Sequence, residues 1–367
     1  MRPWYQLLDD SSVATPALMV YPDRIRHNIR EMIRIAGDVK RLIPHTKTVK
    51  CPEILQMLVD HGIRQCKCAT IPEAEIAAEA GMQHILLAYP LTGPHVTRFL
   101  ALQRQFPAVA FGTLVDSDEL LQQFIKQLPA GEKATLLIDI NDGMNRTGIP
   151  PGDTALQLIK TILQHPSLQF GGLHVYDGHL RQPNFEERCA EVDAAYQKVL
   201  DWLPDVEALD PPPFDIIAGG TPTFPCHARQ TDGRLLSPGT ILLWDYGYSS
   251  SFQDLPFQHA AVLLTRAVSH PDYGKVCLDL GHKSVASEMP HPRAWLPGWE
   301  DLEAIGHSEE HLVLQSCGGV PAIGEAVYAV PIHICPTVAL HEELLVVENG
   351  IVTDAWKVAA RKRKINF

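Results

Sequence analysis

Polar residues suited to acid–base and carbonyl chemistry follow several apolar runs of this sequence. One group is Pro44-His45-Thr46-Lys47, and a second is His174-Val175-Tyr176-Asp177-Gly178-His179. A lysine amine that is partly withdrawn from water loses affinity for its proton and becomes nucleophilic, as a Schiff-base enzyme requires. Lys47 is therefore a candidate for binding a carbonyl compound, although a lysine at a strand end is more often an ordinary surface residue.

Small residues follow another apolar run at Gly219-Gly220-Thr221. Their backbone N–H groups could hold a phosphate, which barrel enzymes often bind after their seventh and eighth strands. A pair of glycines serves a tight turn equally well. Two further polar groups, residues 139–146 and Asp245-Tyr246-Gly247-Tyr248, also end apolar runs.

His333 and Cys335 are two positions apart, which places both side chains on one face of a strand. Imidazole and thiolate together favour zinc or another borderline metal. Taken alone, such a pair is more often a buried cysteine beside a hydrogen-bonded histidine.

A repeating order of strand and helix must position these groups. The predicted strands are 42–46, 65–69, 84–88, 108–114, 135–140, 170–176, 214–218 and 241–245, with helical patterns such as 72–80, 118–127 and 184–202 between them. Eight such units predict an α/β fold, a (β/α)₈ TIM-type barrel whose reactive groups lie at the carboxyl ends of the strands. A doubly wound open sheet is the alternative.

After residue 250 the pattern changes to short apolar runs separated by Gly, Pro and Asp-Tyr-Gly turns. It predicts a smaller, mainly β domain. We expect a barrel over residues 16–250, with residues 1–15 and 251–367 forming the second domain.

The composition excludes several classes of protein. The net charge is −12 and basic residues are scattered, so no nucleic-acid surface is expected. The first residues do not resemble a signal peptide, and no apolar stretch is long enough to span a membrane, which predicts a cytoplasmic protein. The eight cysteines are irregularly spaced, and we expect buried thiols rather than a disulfide framework.

Five ordered motifs resemble the D-threonine aldolase and D-serine dehydratase family, which is grouped with the alanine racemases. They are Pro44-His45-Thr46-Lys47-Thr48-Val49-Lys50, Lys67-Cys68-Ala69-Thr70-Ile71-Pro72-Glu73-Ala74-Glu75, Tyr176-Asp177-Gly178-His179-Leu180, Ser308-Glu309-Glu310-His311 and His333-Ile334-Cys335-Pro336-Thr337. The resemblance extends over nearly the whole chain. It implies a pyridoxal-phosphate barrel like the N-terminal domain of alanine racemase, followed by a β domain.

The resemblance also implies roles for single residues. Lys47 matches the lysine that forms the internal aldimine, and Tyr176 matches a tyrosine beside the cofactor ring. Gly219, Gly220 and Thr221 match the phosphate loop. Arg146 lies where relatives place an arginine near the phenolic oxygen of the cofactor, and Tyr246 is a further expected cofactor contact.

His333 and Cys335 match a pair that holds a divalent metal, which would be Zn, Mn or Mg. His179 is a candidate for handling the proton of a substrate hydroxyl, with ordering of its loop as an equal alternative. The implied substrate is a small D-configured 3-hydroxy amino acid, and analogy with the lineage implies a homodimer.

Retro-aldol cleavage to glycine and an aldehyde is the preferred reaction. Dehydration to a 2-oxo acid and ammonia is the main alternative, because Cys335 is the metal residue that we associate with dehydratases. The sequence also departs from the family pattern at Ile43, Val49 and Leu312. An amino-acid racemase, which would need no metal, and a non-catalytic carrier of pyridoxal phosphate are further alternatives.

Overall fold

The computed structural model describes residues 2–367, which form two compact units. The barrel unit consists of Met32–Lys47, Leu55–Gly239 and Lys362–Phe367. The β unit consists of the chain up to Glu31 together with Thr48–Ile54 and Thr240–Arg361. Because the chain passes between the units several times, neither of them is a single continuous stretch of sequence.

Seven parallel strands form the sheet of the barrel unit in sequence order. They are β2 Gln65–Cys68, β3 His84–Pro90, β4 Ala110–Val115, β5 Ala134–Ile140, β6 Leu168–Val175, β7 Asp215–Ala218 and β8 Leu235–Leu236. β1, Ala17–Val20, belongs to the β unit. The segment before Lys47 bridges both edges of this sheet, because Leu42 pairs with Leu236 and His45 pairs with Lys67, both in parallel. The predicted barrel architecture is therefore confirmed.

The last barrel strand differs from the prediction. The apolar segment 241–245 is not a strand, since Thr240–Leu242 forms a 3-10 helix and β8 lies earlier, at Leu235–Leu236. Ile241 and Leu243 are fully buried. A short apolar run reports burial and does not distinguish a strand from a buried turn.

Apolar side chains from separate strands fill the barrel interior. Ile43, Leu86, Leu114, Leu137 and Ile217 form one buried cluster. They come from five different segments of the barrel, as expected when alternate residues of parallel strands point inward.

Helices lie between the barrel strands and begin at residues that suit helix starts. Thr70, Ser117 and Asn184 each accept a hydrogen bond from the backbone N–H three residues later. The helices of the chain are α1 Pro22–Ala36, α2 Pro52–Asp60, α3 Ile71–Glu79, α4 Pro94–Gln105, α5 Asp118–Gln127, α6 Asp153–Gln164, α7 Phe185–Glu207, α8 Phe224–Ala228, α9 Tyr246–Ser251 and α10 Ile334–Leu340. No helix within residues 2–367 has the length and apolar character needed to cross a bilayer.

Gly172 lies where β6 and β7 approach each other closely. It pairs with Asp215 of β7, and its φ of +128° lies in a region that suits glycine. A Cβ at this position would overlap the carbonyl oxygen of Asp215 and lie 2.8 Å from its carbonyl carbon. The pairing of β6 with β7 therefore depends on the absence of a side chain here.

A nine-stranded mixed sheet forms the β unit, which confirms the prediction of a mainly β second domain. Its strands are β1 Ala17–Val20, β9 Ala261–Ser269, β10 Lys275–Leu278, β11 Ala294–Trp295, β12 Glu303–His307, β13 Leu312–Gln315, β14 Ala326–Pro331, β15 Glu343–Glu348 and β16 Ile351–Lys357. β1 lies in the middle of the sheet, antiparallel to β9 and parallel to β15. Met19, Val262, Leu264 and Val330 belong to its buried core.

Two of the eight cysteines form a disulfide, whereas most were expected to be buried thiols. Cys189 of α7 and Cys226 of α8 form a disulfide. Four others, Cys51, Cys66, Cys68 and Cys277, are buried thiols as expected. Irregular spacing in sequence could not reveal that two helices bring one pair together.

Candidate active site

The ring of Tyr176, at the end of β6, is the centre around which the predicted cofactor residues of the barrel unit gather. Lys47 Nζ lies 5.9 Å from the ring centroid and Arg146 Cζ lies 4.8 Å from it. A second amine, Lys67 Nζ, lies 5.4 Å from the same centroid. The structure thus brings Lys47, Tyr176 and Arg146 together as expected and adds a second lysine.

Short local contacts position these groups. Lys47 lies in the 3-10 turn Thr46–Thr48, where its backbone N–H donates to His45 Nδ1 at 3.4 Å. In the loop after β5, the side-chain oxygen of Asn141 accepts from the N–H groups of Gly143 and Asn145, at 3.1 and 3.0 Å. These bonds order the turn that presents Arg146.

Lys67 belongs to a buried polar chain inside the barrel. Its Nζ lies 3.2 Å from His174 Nε2, and His174 Nδ1 lies 2.7 Å from Asp139 Oδ1. Burial and then the charge of Lys47 lower the pKa of Lys67 to about 7. Burial raises the pKa of Asp139, but the hydrogen bonds from His174 and Thr147 outweigh it and leave the pKa lowered.

Sequence reasoning assigned no role to this chain of residues. The available signal was the alternation in Gln65-Cys66-Lys67-Cys68, which places a lysine among apolar neighbours of a strand. A charged residue on a strand of a barrel interior is rarely buried without a partner.

The predicted phosphate loop lies against Tyr176, and part of its hydrogen-bonding capacity is already used. The N–H of Gly219 donates to Val175 O at 2.9 Å, and the N–H of Gly220 donates to Thr223 Oγ1 at 3.0 Å. Thr221 Oγ1 accepts from the N–H of Gly239 at 3.0 Å. A Cβ on Gly220 would lie 3.0 Å from the ring of Tyr176, so the loop requires a small residue there.

A buried network of hydrogen-bonded and charged side chains contacts this loop through Thr223. Thr223 Oγ1 donates to Asp177 Oδ1 at 2.6 Å, and His227 Nε2 lies 2.7 Å from Asp177 Oδ2. Arg234 continues the network, with its NH1 2.9 Å from His227 Nδ1. The network fixes the position of Thr223 and hence the direction of the Gly220 N–H group.

His179 is exposed, and its ring lies above Gly143, where a Cβ would be 3.0 Å from Nε2. Asp142, the neighbour of Gly143, is buried, and burial followed by the charge of Asp177 raises its pKa to about 7. His179 is thus accessible to a small molecule from solvent, as a proton-transferring residue must be.

The predicted metal pair belongs to the β unit and lies at the start of a helix. His333 precedes α10 and Cys335 is in its first turn, so the expected strand geometry is wrong for this segment. Pro336 explains the difference, because proline is accommodated in the first turn of a helix, where its missing N–H is not needed.

The two side chains nevertheless interact with each other. Burial opposes a charge on His333, but its contact with Cys335 and then Glu288 outweighs burial and raises its pKa to about 9. Glu288 Oε1 lies 2.5 Å from His333 Nδ1, and Thr48 Oγ1 lies 3.1 Å from Cys335 Sγ. Thr48 is the residue that follows Lys47 in the sequence.

The donor types of this pair fit a borderline divalent metal, whose remaining positions water or a substrate oxygen would occupy. Within residues 2–367, no group of three or more His, Cys, Asp or Glu side chains is arranged to hold a metal ion. Tyr246, the remaining predicted cofactor contact, begins α9 in the β unit and stacks on Trp295 with ring centroids 5.0 Å apart.

The barrel unit fits pyridoxal phosphate by the chemistry of its residues. It combines a half-buried lysine amine, an aromatic ring, an arginine and a glycine loop that a Cβ would obstruct. These are the groups that bind an aldehyde, a pyridine ring and a phosphate ester.

Comparisons with known proteins agree with this fit. The family model "Alanine racemase, N-terminal domain" matches residues 20–247, and "Putative serine dehydratase domain" matches residues 260–347. A D-threonine aldolase from Arthrobacter sp is 30% identical over 95% of this chain and 93% of its own length. A 3-hydroxy-D-aspartate aldolase from Paracoccus denitrificans (strain Pd 1222) is 26% identical, covering 96% and 94%.

The crystal structure of D-threonine aldolase from Filomicrobium marinum superposes with a TM-score of 0.86 at 27% identity, covering 95% of this chain and 96% of that one. The chain belongs to the family of proteins built on the alanine racemase N-terminal domain. Within it, the second domain of the serine dehydratase type and the aldolase relatives define a pyridoxal-phosphate-dependent lyase.

Proposed function

We propose that this lyase cleaves D-configured 3-hydroxy amino acids by a retro-aldol reaction, which converts D-threonine to glycine and acetaldehyde. The observation that carries the proposal is the arrangement of Lys47 and Arg146 around Tyr176 in a barrel whose relatives include aldolases of D-threonine and 3-hydroxy-D-aspartate. A cytoplasmic homodimer is part of the proposal by analogy with the lineage, and light scattering of the purified protein tests the oligomeric state.

Each predicted cofactor residue of the barrel unit would have a defined role. When bound, pyridoxal phosphate supplies an electron sink for a bond to the substrate Cα that is perpendicular to its ring. Lys47 would bind the aldehyde carbon through Nζ, and Arg146 would donate to an oxygen at the edge of the ring. Tyr176 would contact the ring, and the Gly219-Gly220-Thr221 loop would hold the phosphate.

His179 would accept the proton of the substrate 3-hydroxyl while the Cα–Cβ bond breaks, since its exposed ring is accessible to substrate. His333 and Cys335 would hold a divalent cation, Zn, Mn or Mg, which would supply Lewis acidity at an oxygen atom. Tyr246 would add an aromatic contact to the cofactor.

Dehydration of D-serine or D-3-hydroxyaspartate to a 2-oxo acid and ammonia is the second candidate. It is favoured by the match of residues 260–347 to a domain of the serine dehydratase type and by the cysteine at position 335. The same residues would serve this reaction, because the bond that breaks at Cα decides the product.

The test uses full-length protein supplied with pyridoxal phosphate, divalent metal and D-threonine. Equal amounts of glycine and acetaldehyde would support the aldolase, whereas 2-oxobutyrate with ammonia would establish the dehydratase. Neither product, with D-serine and D-3-hydroxyaspartate also inert, would refute the substrate class.

Two variants separate the cofactor assignment from the substrate assignment. Lys47→Ala should abolish the absorption band of the lysine-bound cofactor, and Lys40→Ala, on the exposed turn Val39–Arg41, should leave it unchanged. A band that persists in Lys47→Ala would contradict the assignment of the binding lysine. For the metal, His333→Ala should weaken binding of Zn²⁺ or Mn²⁺ measured by calorimetry, and equal affinity would remove this residue from the metal site.

A further inference from the structure

Lys67 is a second lysine near Tyr176, and the proposed reaction uses only the first. Its side chain is 2% exposed and extends from β2 into the barrel interior, where Nζ is 3.2 Å from His174 Nε2 on β6. His174 in turn is 2.7 Å from Asp139 on β5. Three strands thus contribute one residue each to a continuous, buried chain of polar groups.

The hydrogen-bond partners define where the protons of this chain are. Asp139 also accepts from Thr147 Oγ1 at 2.7 Å, so its carboxylate acts as the acceptor and His174 donates from Nδ1. Nε2 of a neutral histidine that donates from Nδ1 is an acceptor. Lys67 therefore donates to Nε2, and it does so as an amine or as an ammonium group. Nζ can gain or lose a proton without breaking the chain.

Charged groups on all sides determine which of the two forms is stable. Lys47 and Arg146 face Lys67 as cations, and Asp139 and Asp177 face it as anions. His45 and His174 are buried beside it, and burial followed by the charge of neighbouring lysines lowers the pKa of both rings, which favours their neutral forms. Burial and the charge of Lys47 outweigh the carboxylates, which brings the pKa of Lys67 to about 7.

We propose that Lys67 is a positioning residue of the cofactor site, whose Nζ, held by the hydrogen-bonded pair His174 and Asp139, takes up a proton from solvent when an anionic pyridoxal ligand binds beside Tyr176. Before binding, Lys67 is a neutral amine, so only Lys47 and Arg146 place positive charge near the ring of Tyr176. After binding, the phosphate and ring oxygen of the ligand compensate the returning charge. The inference rests on the proposed cofactor site and adds a proton uptake to it.

The test measures proton uptake on binding, which does not depend on catalysis. Pyridoxamine 5′-phosphate is the probe, because it has no aldehyde group and therefore cannot form a covalent bond with Lys47. Isothermal titration into full-length, cofactor-free protein in two buffers of different ionisation enthalpy gives the number of protons taken up. The measurement is made at about pH 7.5, where Lys67 is largely neutral, and at about pH 5.5, where it is already charged.

Two substitutions isolate Lys67. Lys67→Met has no titratable group, and Lys67→Arg carries a charge that cannot be released, so both should lose the uptake due to Nζ. At about pH 7.5 the wild-type protein should take up roughly half a proton or more beyond either variant, and at about pH 5.5 the three should agree. Lys160→Met, on the outer surface of α6, should behave as wild type. Should Lys67→Met not fold, Lys67→Arg carries the comparison.

Asp142 is the competing proton acceptor, since its pKa is also about 7. The inference requires Asp142→Asn to take up as many protons as the wild-type protein. An uptake that falls in Asp142→Asn but keeps its wild-type value in both Lys67 variants would overturn it. Equal uptake in wild type and both Lys67 variants would do the same while leaving the cofactor site intact. Absence of binding to the wild-type protein would refute the cofactor site and the proton uptake together.

Discussion

Replacing Gly172 by alanine should separate two barrel strands and thereby lose the site that they support. Gly172 has a φ of +128°, and its neighbour across the sheet is Asp215 of β7. The added Cβ would overlap the carbonyl oxygen of Asp215, which belongs to the backbone and cannot rotate away. β6 carries His174 and ends next to Tyr176, so the effect reaches the cofactor site.

The size of the effect follows from two contributions. A non-glycine residue in this region of φ costs about 1 to 3 kcal/mol. Moving the oxygen to an ordinary contact distance requires a shift of more than about 1 Å, which breaks hydrogen bonds of the β6–β7 ladder at about 1 kcal/mol each. With about two of these bonds lost, the two contributions together lower the free energy of unfolding by roughly 3 to 5 kcal/mol. For a chain of 367 residues, this lowers the midpoint of thermal unfolding by roughly 4 to 7 °C.

Gly233→Ala is the matched control, because Gly233 also has a positive φ, +82°, but nothing lies within 4 Å of the added Cβ. This variant should lose only about 1 kcal/mol. Urea and thermal unfolding followed by circular dichroism compare the two, and pyridoxal-phosphate binding reports on the site. If Gly172→Ala unfolds within about 1 kcal/mol of Gly233→Ala, the close approach of the strands does not have the energetic role assigned to it.

Three further predictions concern stability and redox state. Burial and the charge of Asp177 raise the pKa of Asp142 to about 7, above its value in the unfolded chain. The protonated carboxyl therefore contributes stability that is lost as the pH rises from about 4 to 7. In urea unfolding, the free energy of unfolding of Asp142→Asn relative to wild type should be roughly 2 kcal/mol more favourable at pH 8 than at pH 5. Asn28→Ala should lower the free energy of unfolding by roughly 2 to 4 kcal/mol in denaturant titrations, because Asn28 Nδ2 donates to two backbone oxygens and Oδ1 accepts from Gln258 N. Thiol titration in denaturant without reductant should find two thiols fewer than the eight cysteines, and a full count would contradict the disulfide.

Much of the barrel could be predicted because its signals are local. Short apolar runs ending in polar groups located six of the seven strands of the barrel sheet, and parallel strands place those polar groups at one edge. The proximity of Lys47, Arg146 and Tyr176 therefore followed from the order of elements and the resemblance to a family. The prediction of the eighth strand was wrong, because the apolar run at 241–245 is buried but begins in a 3-10 turn.

What the sequence could not show depends on contacts between distant segments. The chain from Lys67 to His174 and Asp139 joins three strands, and no spacing along the sequence encodes it. The same holds for the Cys189–Cys226 disulfide and for the network of Asp177, His227 and Thr223 behind the glycine loop. His333 and Cys335 were identified by residue type, but the effect of Pro336 on their local conformation was not recognised.

The central place of β1 in the sheet of the β unit has a consequence during synthesis. Its partners, β9 and β15, begin at Ala261 and Glu343, so a growing chain presents Ala17–Val20 long before either partner exists. At about 5 to 20 residues per second, this interval is on the order of tens of seconds. During that time four apolar residues with unpaired backbone groups are a site for association with other chains. The production of this protein should therefore depend on how well its first strand is shielded until the last third of the chain has been made.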